Sequence, residues 1–509
     1  MSEATALVSD GSLDAGNGRR IEHFDVLIVG AGLSGIGAAY HLQKECPQKS
    51  YAMLEGRSAL GGTWDLFRYP GVRSDSDMYT LGYSFRPWRN AKAIADGPSI
   101  LQYLRETAAE YGIDRHIRYG HRAKVASWSS ADARWTIEVA LSDGNTVHFT
   151  CNFLYMCSGY YDYAEGYMPG WPGMDRFKGK IVHPQKWPRD LDYTNKRVIV
   201  IGSGATAVTL VPAMAETAKH VFMLQRSPSY ILELPSEDFI ANWLRGKVPA
   251  RLAYLLVRWK NVLMAMYLYA KARSKPEQTK RWLMGLAQKA LGRDYNVAKH
   301  FSPHYNPWEQ RLCFIPDGDL FRALRSGKAS MVTDEIETFT EKGLRLGSGE
   351  ELDADIIVTA TGLKLQLMGG MQVCVDGAPV DLSRTMAYKG MMYSDVPNLA
   401  SSFGYTNASW TLKSDLTAEY VCRLLKHMDA GGYGSCTPRK HDPSITEQPA
   451  IDFSSGYIQR ALNVLPKQGS KRPWRLHQNY ALDMLEFRFA SVDDGTMEFA
   501  RIRGRDRRY

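Results

Sequence analysis

Twice in its 509 residues the chain runs from a short, apolar, β-rich stretch into a glycine-punctuated turn and then into a helical pattern. No other feature narrows the fold as much. Residues 24–29 lead into Gly30-Ala31-Gly32-Leu33-Ser34-Gly35. Ala38, Ala39 and Leu42 follow at helical spacing, and 51–54 form a second strand closed by Glu55. In mid-chain, 197–201 lead into Gly202-Ser203-Gly204-Ala205-Thr206-Ala207. A helix continues to about residue 218, and 220–224 form a strand ending at Gln225-Arg226. Strand, tight turn, helix and returning strand make the βαβ unit of a parallel sheet. The glycines let the backbone turn sharply and approach a pyrophosphate. The free N–H groups and the dipole at the helix start stabilise its negative charge. The expected fold class is α/β, with two Rossmann-like dinucleotide-binding domains in tandem.

The end of the second strand distinguishes the two units. Glu55 lies about twenty residues past Gly35, where an acid accepts hydrogen bonds from a ribose 2′-OH. In the second unit Arg226 stands at the ribose position, and a guanidinium there suits a 2′-phosphate. The first unit is thus expected to bind FAD through Gly30, Gly32, Ser34, Gly35 and Glu55. The second is expected to bind NADPH through Gly202, Ser203, Gly204, Thr206, Ala207 and Arg226. Residues 154–159 and 358–362 each read as a strand ending in small residues, suited to crossing between two such domains.

The remaining chain sets boundaries. Residues 1–20 are small and polar and read as a disordered extension rather than a signal peptide. The FAD-binding domain is expected over 21–160 and 365–480, a linker over 161–195, and the NADP-binding domain over 196–232 and 300–364. A helical insertion fills 233–299, and 481–509 reads as a basic C-terminal tail. The seven cysteines are scattered and form no C-x-x-C pair, which fits a reducing, cytoplasmic setting. They offer neither a metal site nor the redox dithiol of a two-dinucleotide disulfide reductase. The net charge of +9 reads as dispersed, the run at 501–508 excepted, and no nucleic-acid partner is expected. Within the insertion, residues 252–270 are rich in Leu, Tyr, Trp and Met. Two readings stay open: a helix packed on the protein's own body, or a peripheral surface for membrane or greasy substrate. A non-catalytic membrane-associated protein with a relict flavin fold is the matching functional alternative. Oligomeric state is not encoded in any of these patterns.

Two longer stretches narrow the chemistry. Phe177-Lys178-Gly179-Lys180-Ile181-Val182-His183-Pro184-Gln185-Lys186-Trp187-Pro188 resembles the F-x-G-x-x-x-H-x-x-x-W-[PD] fingerprint of Baeyer–Villiger monooxygenases, a type of class B flavoprotein monooxygenase. Upstream, Gly61-Gly62-Thr63-Trp64-Asp65-Leu66-Phe67-Arg68-Tyr69-Pro70-Gly71-Val72-Arg73-Ser74-Asp75 resembles the same family's second signature. The resemblance runs from about residue 24 past 410. The stretches RYPGVRSDSDMYTLGY, HPQKWPRDLDY and GYTNASWTLKSDL are especially similar to a bacterial branch that also oxidises thioamides.

The resemblance implies roles by position. Gly62, Thr63, Trp64, Asp75 and Tyr79 join the FAD site. Arg311, within Glu309-Gln310-Arg311-Leu312-Cys313, is the active-site arginine, oriented by Asp75. Gln310 stands where many members have a lysine and is expected beside NADP. Phe177, Gly179, His183 and Trp187 form the linker, with His183 sensing cofactor binding and Trp187 anchoring by packing. The implied reaction uses NADPH and O2, through a C4a-peroxyflavin, to convert an apolar ketone to an ester or lactone. Oxidation of thioethers or thioamides at sulfur is a second implied activity. The alternative is an N- or S-oxygenating flavin-containing monooxygenase without ketone activity. The substrate pocket is expected from the helical insertion together with 405–410.

Overall fold

The computed structural model describes residues 21–451 and 454–501. The expected extension at 1–20 and the last eight residues of the expected tail lie outside them. Among the described residues the first glycine unit sits in a nine-stranded sheet. There Glu22–Val29 lies between Tyr51–Glu55 and Thr146–Met156, parallel to both. Val26, Leu27 and Ile28 are fully buried because helices and loops cover both faces of the parallel part. The chain returns late to this sheet: Gln372–Val375 pairs with His121–Ser129, and Leu399–Ser401 pairs with Thr146–Met156. The helix Trp410–Gly431 packs against Leu33–Glu45 and closes the domain.

The second unit has its own five-stranded parallel sheet, with Arg197–Ile201 between His220–Gln225 and Ile356–Thr359. The two units repeat each other closely. Gly30 N–H donates to Leu54 O at 2.8 Å, and Gly202 N–H donates to Leu224 O at 2.8 Å. Gly30 (φ +106°) and Gly202 (φ +139°) both adopt backbone open to glycine. A Cβ on Gly30 would stand 2.5 Å from Cys157 O, and one on Gly202 would stand 2.3 Å from Ala360 O. Each first glycine therefore lies against the strand end that leaves its own sheet. Beyond those ends the two crossings run side by side as an antiparallel ribbon, Tyr161–Gly166 with Leu363–Leu365.

Two expectations from sequence change. The linker is not free of the second sheet, because Lys180–Val182 pairs with Ile356–Thr359 as its edge strand. The segment expected to be a basic tail is folded as far as Arg501. Tyr480–Phe489 is a helix packed on Trp410–Gly431, and Met497–Arg501 pairs with Tyr433–Pro438. Buried ion pairs fasten that segment: Lys413 Nζ to Asp483 at 2.6 Å and Lys389 Nζ to Glu486 at 3.1 Å. Charge density there misled the reading, since these pairs form only across 70 or more residues. The insertion is helical, in Phe239–Leu244, Ala250–Ser274, Pro276–Leu291 and Val297–His300. It is closed at its base by the pair Ile231–Leu234 and Cys313–Pro316.

The close approach of both first glycines gives a direct test. Gly30→Ala is expected to yield protein with little bound flavin, and Gly202→Ala protein that keeps its flavin absorbance but loses NADPH oxidation. Ordinary flavin content in Gly30→Ala would show that the turn relaxes without consequence.

Candidate functional site

The glycine loops open onto a cavity that lies between the two domains. Its first part, about 300 Å³, runs past Gly30, Glu55, Arg57 and Gly62. Its second, about 290 Å³, shares Gly32, Gly62, Cys157, Tyr161 and Tyr163 with the first and extends to Asp75, Thr206 and Arg311. The void is elongated, starts at one helix N-terminus and ends at the other. That is the shape a dinucleotide requires with its pyrophosphate at the first helix.

At the first loop, Glu55 is buried at the strand end. Its two carboxylate oxygens accept from Ala31 N–H at 2.9 Å and Arg57 N–H at 3.0 Å. Burial raises its pKa, and those two N–H groups oppose the rise. Arg57 then donates to Gly62 O at 3.1 Å and to Asp65 at 2.5 Å. Asp65 is itself buried and also faces Arg68 at 3.4 Å and Arg105 at 3.6 Å. This cluster ties the Glu55 end of the cavity to the short helix Thr63–Leu66. Gly62 (φ +55°) packs so closely on the first loop that a Cβ would meet Gly32 Cα at 3.1 Å. Ser34 accepts from the Trp410 indole N–H at 2.7 Å, and Thr63 Oγ1 lies 3.4 Å from the Tyr163 hydroxyl. Ser34, Thr63 and Trp64 all line the cavity.

Tyr79 does not. It is buried in the core beside Tyr254, at 5.9 Å between ring centres, and burial raises its pKa. The one-turn helix Met78–Leu81 presents Leu81 to the cavity instead.

At the second loop the register corrects the sequence reading by one residue. Leu54 and Leu224 accept the equivalent glycine N–H groups, so Gln225, not Arg226, occupies the position of Glu55. Gln225 is buried, and its amide donates to His300 O at 2.8 Å and Thr333 Oγ1 at 2.9 Å. Arg226 comes one place later, exposed at the rim of the sheet. Ser203 accepts from the Ser229 hydroxyl at 3.0 Å, and Gly204 precedes the helix Ala205–Ala215. Ala207 is fully buried under the turn.

Arg311 and Asp75 meet as expected, with Nε 2.7 Å from the carboxylate. Arg311 stays cationic at any physiological pH, because Asp75 raises its pKa more than burial lowers it. Three tyrosines absent from the sequence reading lie near enough to act on the charge of the guanidinium, Tyr160, Tyr161 and Tyr457, and the first two line the same cavity. Tyr160 stacks on Trp410 at 5.2 Å and shares a hydrogen bond with Tyr161 at 2.9 Å. The Tyr160-Tyr161 pair directly after the small-residue strand end was the available signal. Gln310 is half-buried beside Arg311 and lies outside the cavity wall. Tyr405, Ala408 and Trp410 line the cavity, but no residue of the helical insertion does. The insertion packs behind them, with Trp259, Val262 and Met266 against Tyr405 and Ala408.

The segment 61–75 joins the two domains. Gly71 (φ +74°) lies against the second glycine helix, where a Cβ would meet Thr209 O at 2.9 Å. Arg73 pairs with Asp319 at 2.5 Å. The linker fingerprint has equally local reasons. A Cβ on Gly179 would meet Asp355 O at 2.4 Å, Phe177 packs edge-on to Phe339, and Trp187 packs edge-on to Tyr193. His183 Nδ1 accepts from Gln185 N–H at 3.2 Å, so its proton sits on Nε2, 3.2 Å from Gly362 O. The imidazole thus fixes the linker to the second crossing.

Comparison with known proteins agrees with this geometry. A family model described as flavin-binding monooxygenase-like matches residues 93–368, and an NAD(P)-binding Rossmann-like model matches 28–96. The FAD-containing monooxygenase EthA of Mycobacterium tuberculosis is 56% identical over 481 residues, covering 94% of this chain and 98% of that protein. The chain belongs to the flavin-binding monooxygenase family. Another member, the probable FAD-binding monooxygenase AlmA of Acinetobacter baylyi, is 48% identical over 94% of this chain and 96% of its own length. Among solved structures, an oxidized steroid monooxygenase bound to NADP superposes with a TM-score of 0.74 at 23% identity, over 94% of this chain and 100% of that one. An open cyclohexanone monooxygenase gives 0.72 at 18%, over 94% and 99%. These last two establish the two-domain fold of this monooxygenase.

Burial lowers the pKa of His183, and its bond to Gly362 O opposes the fall. The unfolded chain therefore takes up this proton first as pH drops through about 6.5. The stability that neutral His183 contributes is present above that pH and is lost below it. Wild type is expected to melt above His183→Gln at pH 7.5, with the gap narrowing towards pH 5.5. A gap that widens on acidification would contradict the neutral assignment.

Proposed function

We propose that this monooxygenase uses NADPH and O2 to convert apolar ketones to esters or lactones, with FAD in the first glycine unit and NADPH at the second. Oxidation of thioethers or thioamides at sulfur is proposed as a second activity of the same site. The observation that carries the reading is the Asp75–Arg311 pair, 2.7 Å apart in the wall of the cavity joining the two loops. A ketone oxygen gains negative charge as its carbonyl is attacked, whereas a sulfide gains none. A fixed cation serves the first case specifically.

The residues fit the cofactors. The Gly32 turn and the N-terminus of Leu33–Glu45 offer N–H groups to a pyrophosphate, and Glu55 keeps lone pairs free for ribose hydroxyls. At the second loop Gln225 puts no carboxylate beside a 2′-phosphate, and Arg226 stands next to that place. Flavin, when bound and reduced, supplies the electrons and, with O2, the oxygen atom to be inserted. The protein's part is orientation and charge. Asp75 holds the guanidinium in one direction, and Arg311 stabilises the anionic oxygen where it develops, at no cost of reorganisation during the reaction. Trp410, Tyr160 and Tyr405 present rings that exclude water from that place and suit an apolar substrate.

Arg311→Ala is expected to retain flavin and some NADPH oxidation while losing ester formation by about a hundredfold or more. Asp75→Asn should lose less. Product analysis with one ketone and one thioether separates the two activities, and undiminished ester formation in Arg311→Ala would remove this residue from the mechanism. For the second cofactor, Arg226→Ala should raise the Michaelis constant for NADPH about ten- to hundredfold and leave that for NADH nearly unchanged. Equal effects on the two would exclude a 2′-phosphate role.

A further inference from the structure

The surplus charge of the chain is not dispersed, as its composition first suggests. From Phe239 to Gly292 there are eleven lysines and arginines and one acid, Glu277. That stretch carries a formal surplus of ten, against +9 for the whole chain, so the remainder is close to neutral. Of the eleven cations, Arg258 is buried facing Asp415 and Lys260 pairs with Asp238, and the others supply the charge of the face. The exposed apolar side chains concentrate in the same place. Of the seventeen large ones among the described residues, eleven lie between Phe239 and Leu286. Phe239 is 81% exposed, Tyr267 60% and Leu263 57%.

The long helix Ala250–Ser274 gives this surface its form. Leu252, Leu256, Leu263 and Tyr267 follow at spacings of four, seven and four, which places them on one side of the helix. Leu255 and Met264 widen the stripe. The opposite side is buried: Tyr254, Val257, Arg258 and Val262 pack inward. Two tryptophans outside this helix are exposed beside lysines, with Lys247 Nζ 4.1 Å from the Trp243 ring centre and Lys271 Nζ 5.7 Å from that of Trp282. An apolar stripe bordered by cations and by Trp–Lys pairs is the pattern of an interfacial helix. No helix among the described residues is long and apolar enough to cross a membrane.

We propose that this face docks on an anionic lipid surface, with the Leu252–Tyr267 stripe in the headgroup–acyl boundary and the surrounding lysines and arginines on lipid phosphates. Charge decides between occupants. A second copy would bring an equally cationic face against this one. The chain's own ends offer little complementary charge: residues 1–20 carry three acids against two arginines, and 502–509 carry four arginines against one acid. The inward side of the same helix packs on Tyr405 and Ala408 of the cavity wall. A lipid surface would therefore lie one helix away from the site that takes apolar substrate. The docking itself does not depend on which substrate is oxidised.

The test is flotation of the full-length holoenzyme with vesicles of phosphatidylcholine alone or mixed with phosphatidylglycerol. Binding is expected only to the anionic vesicles and should weaken as salt is raised. Leu256→Asp with Leu263→Asp should lower binding about tenfold or more per substitution, at unchanged flavin content and NADPH oxidation. Lys247→Glu with Arg251→Glu, which leaves the stripe intact, should weaken it several-fold per charge. Binding equal on neutral and anionic vesicles, or on neither, would overturn the proposal. So would a dimer in sedimentation velocity that the leucine substitutions dissociate, since it would assign the face to a second copy.

Discussion

The geometry of the cavity depends on one constraint, the way segment 61–75 is wedged between the two dinucleotide units. Its Gly62 packs on the first phosphate loop, where a Cβ would stand 3.1 Å from Gly32 Cα, and Gly71 packs closer still on the second glycine helix, where a Cβ would stand 2.9 Å from Thr209 O. Arg73 locks the far side through Asp319. Because both contacts are backbone-close, the two helix N-termini are held at a fixed separation. Asp75, at the end of the wedge, is delivered to Arg311. The pair in the cavity wall is thus the last link of a packing chain that begins at the first glycine turn.

The double crossing is the second consequence. Each sheet sends out one strand past its own first glycine, and the two meet as the ribbon Tyr161–Gly166 with Leu363–Leu365. Two antiparallel connections resist twisting more than one would. His183 adds a bond from the linker to Gly362, on the ring nitrogen that carries the proton. His183 lies outside the lining of the cavity and bonds one crossing to the other.

Surface and interior divide the charge differently. Inside, every highlighted cation is matched: Arg57 with Asp65, Arg73 with Asp319, Arg311 with Asp75, Lys413 with Asp483. Such pairs offset their own desolvation and fix geometry, and add little net stability. The largest local excess of positive charge sits on the helical insertion, next to its exposed leucines.

The sequence by itself determined what depends on local spacing. A strand, a glycine turn and a helix are a local unit, so both βαβ loops and the acid Glu55 were legible. So was the Asp75–Arg311 pair, though only through long family signatures, because 236 residues separate its partners. Tertiary structure decided whatever depends on register and packing between distant segments. It placed Gln225 opposite Glu55 and moved Arg226 outward by one position. It turned Tyr79 into the core and brought Tyr160 and Tyr161 to the guanidinium. It folded a segment that read as a charged tail, because Lys389 and Lys413 supply counter-charges that no local window contains. Periodicity records which face of an element is apolar; only the assembled fold decides whether that face is covered, and along Ala250–Ser274 it is left open.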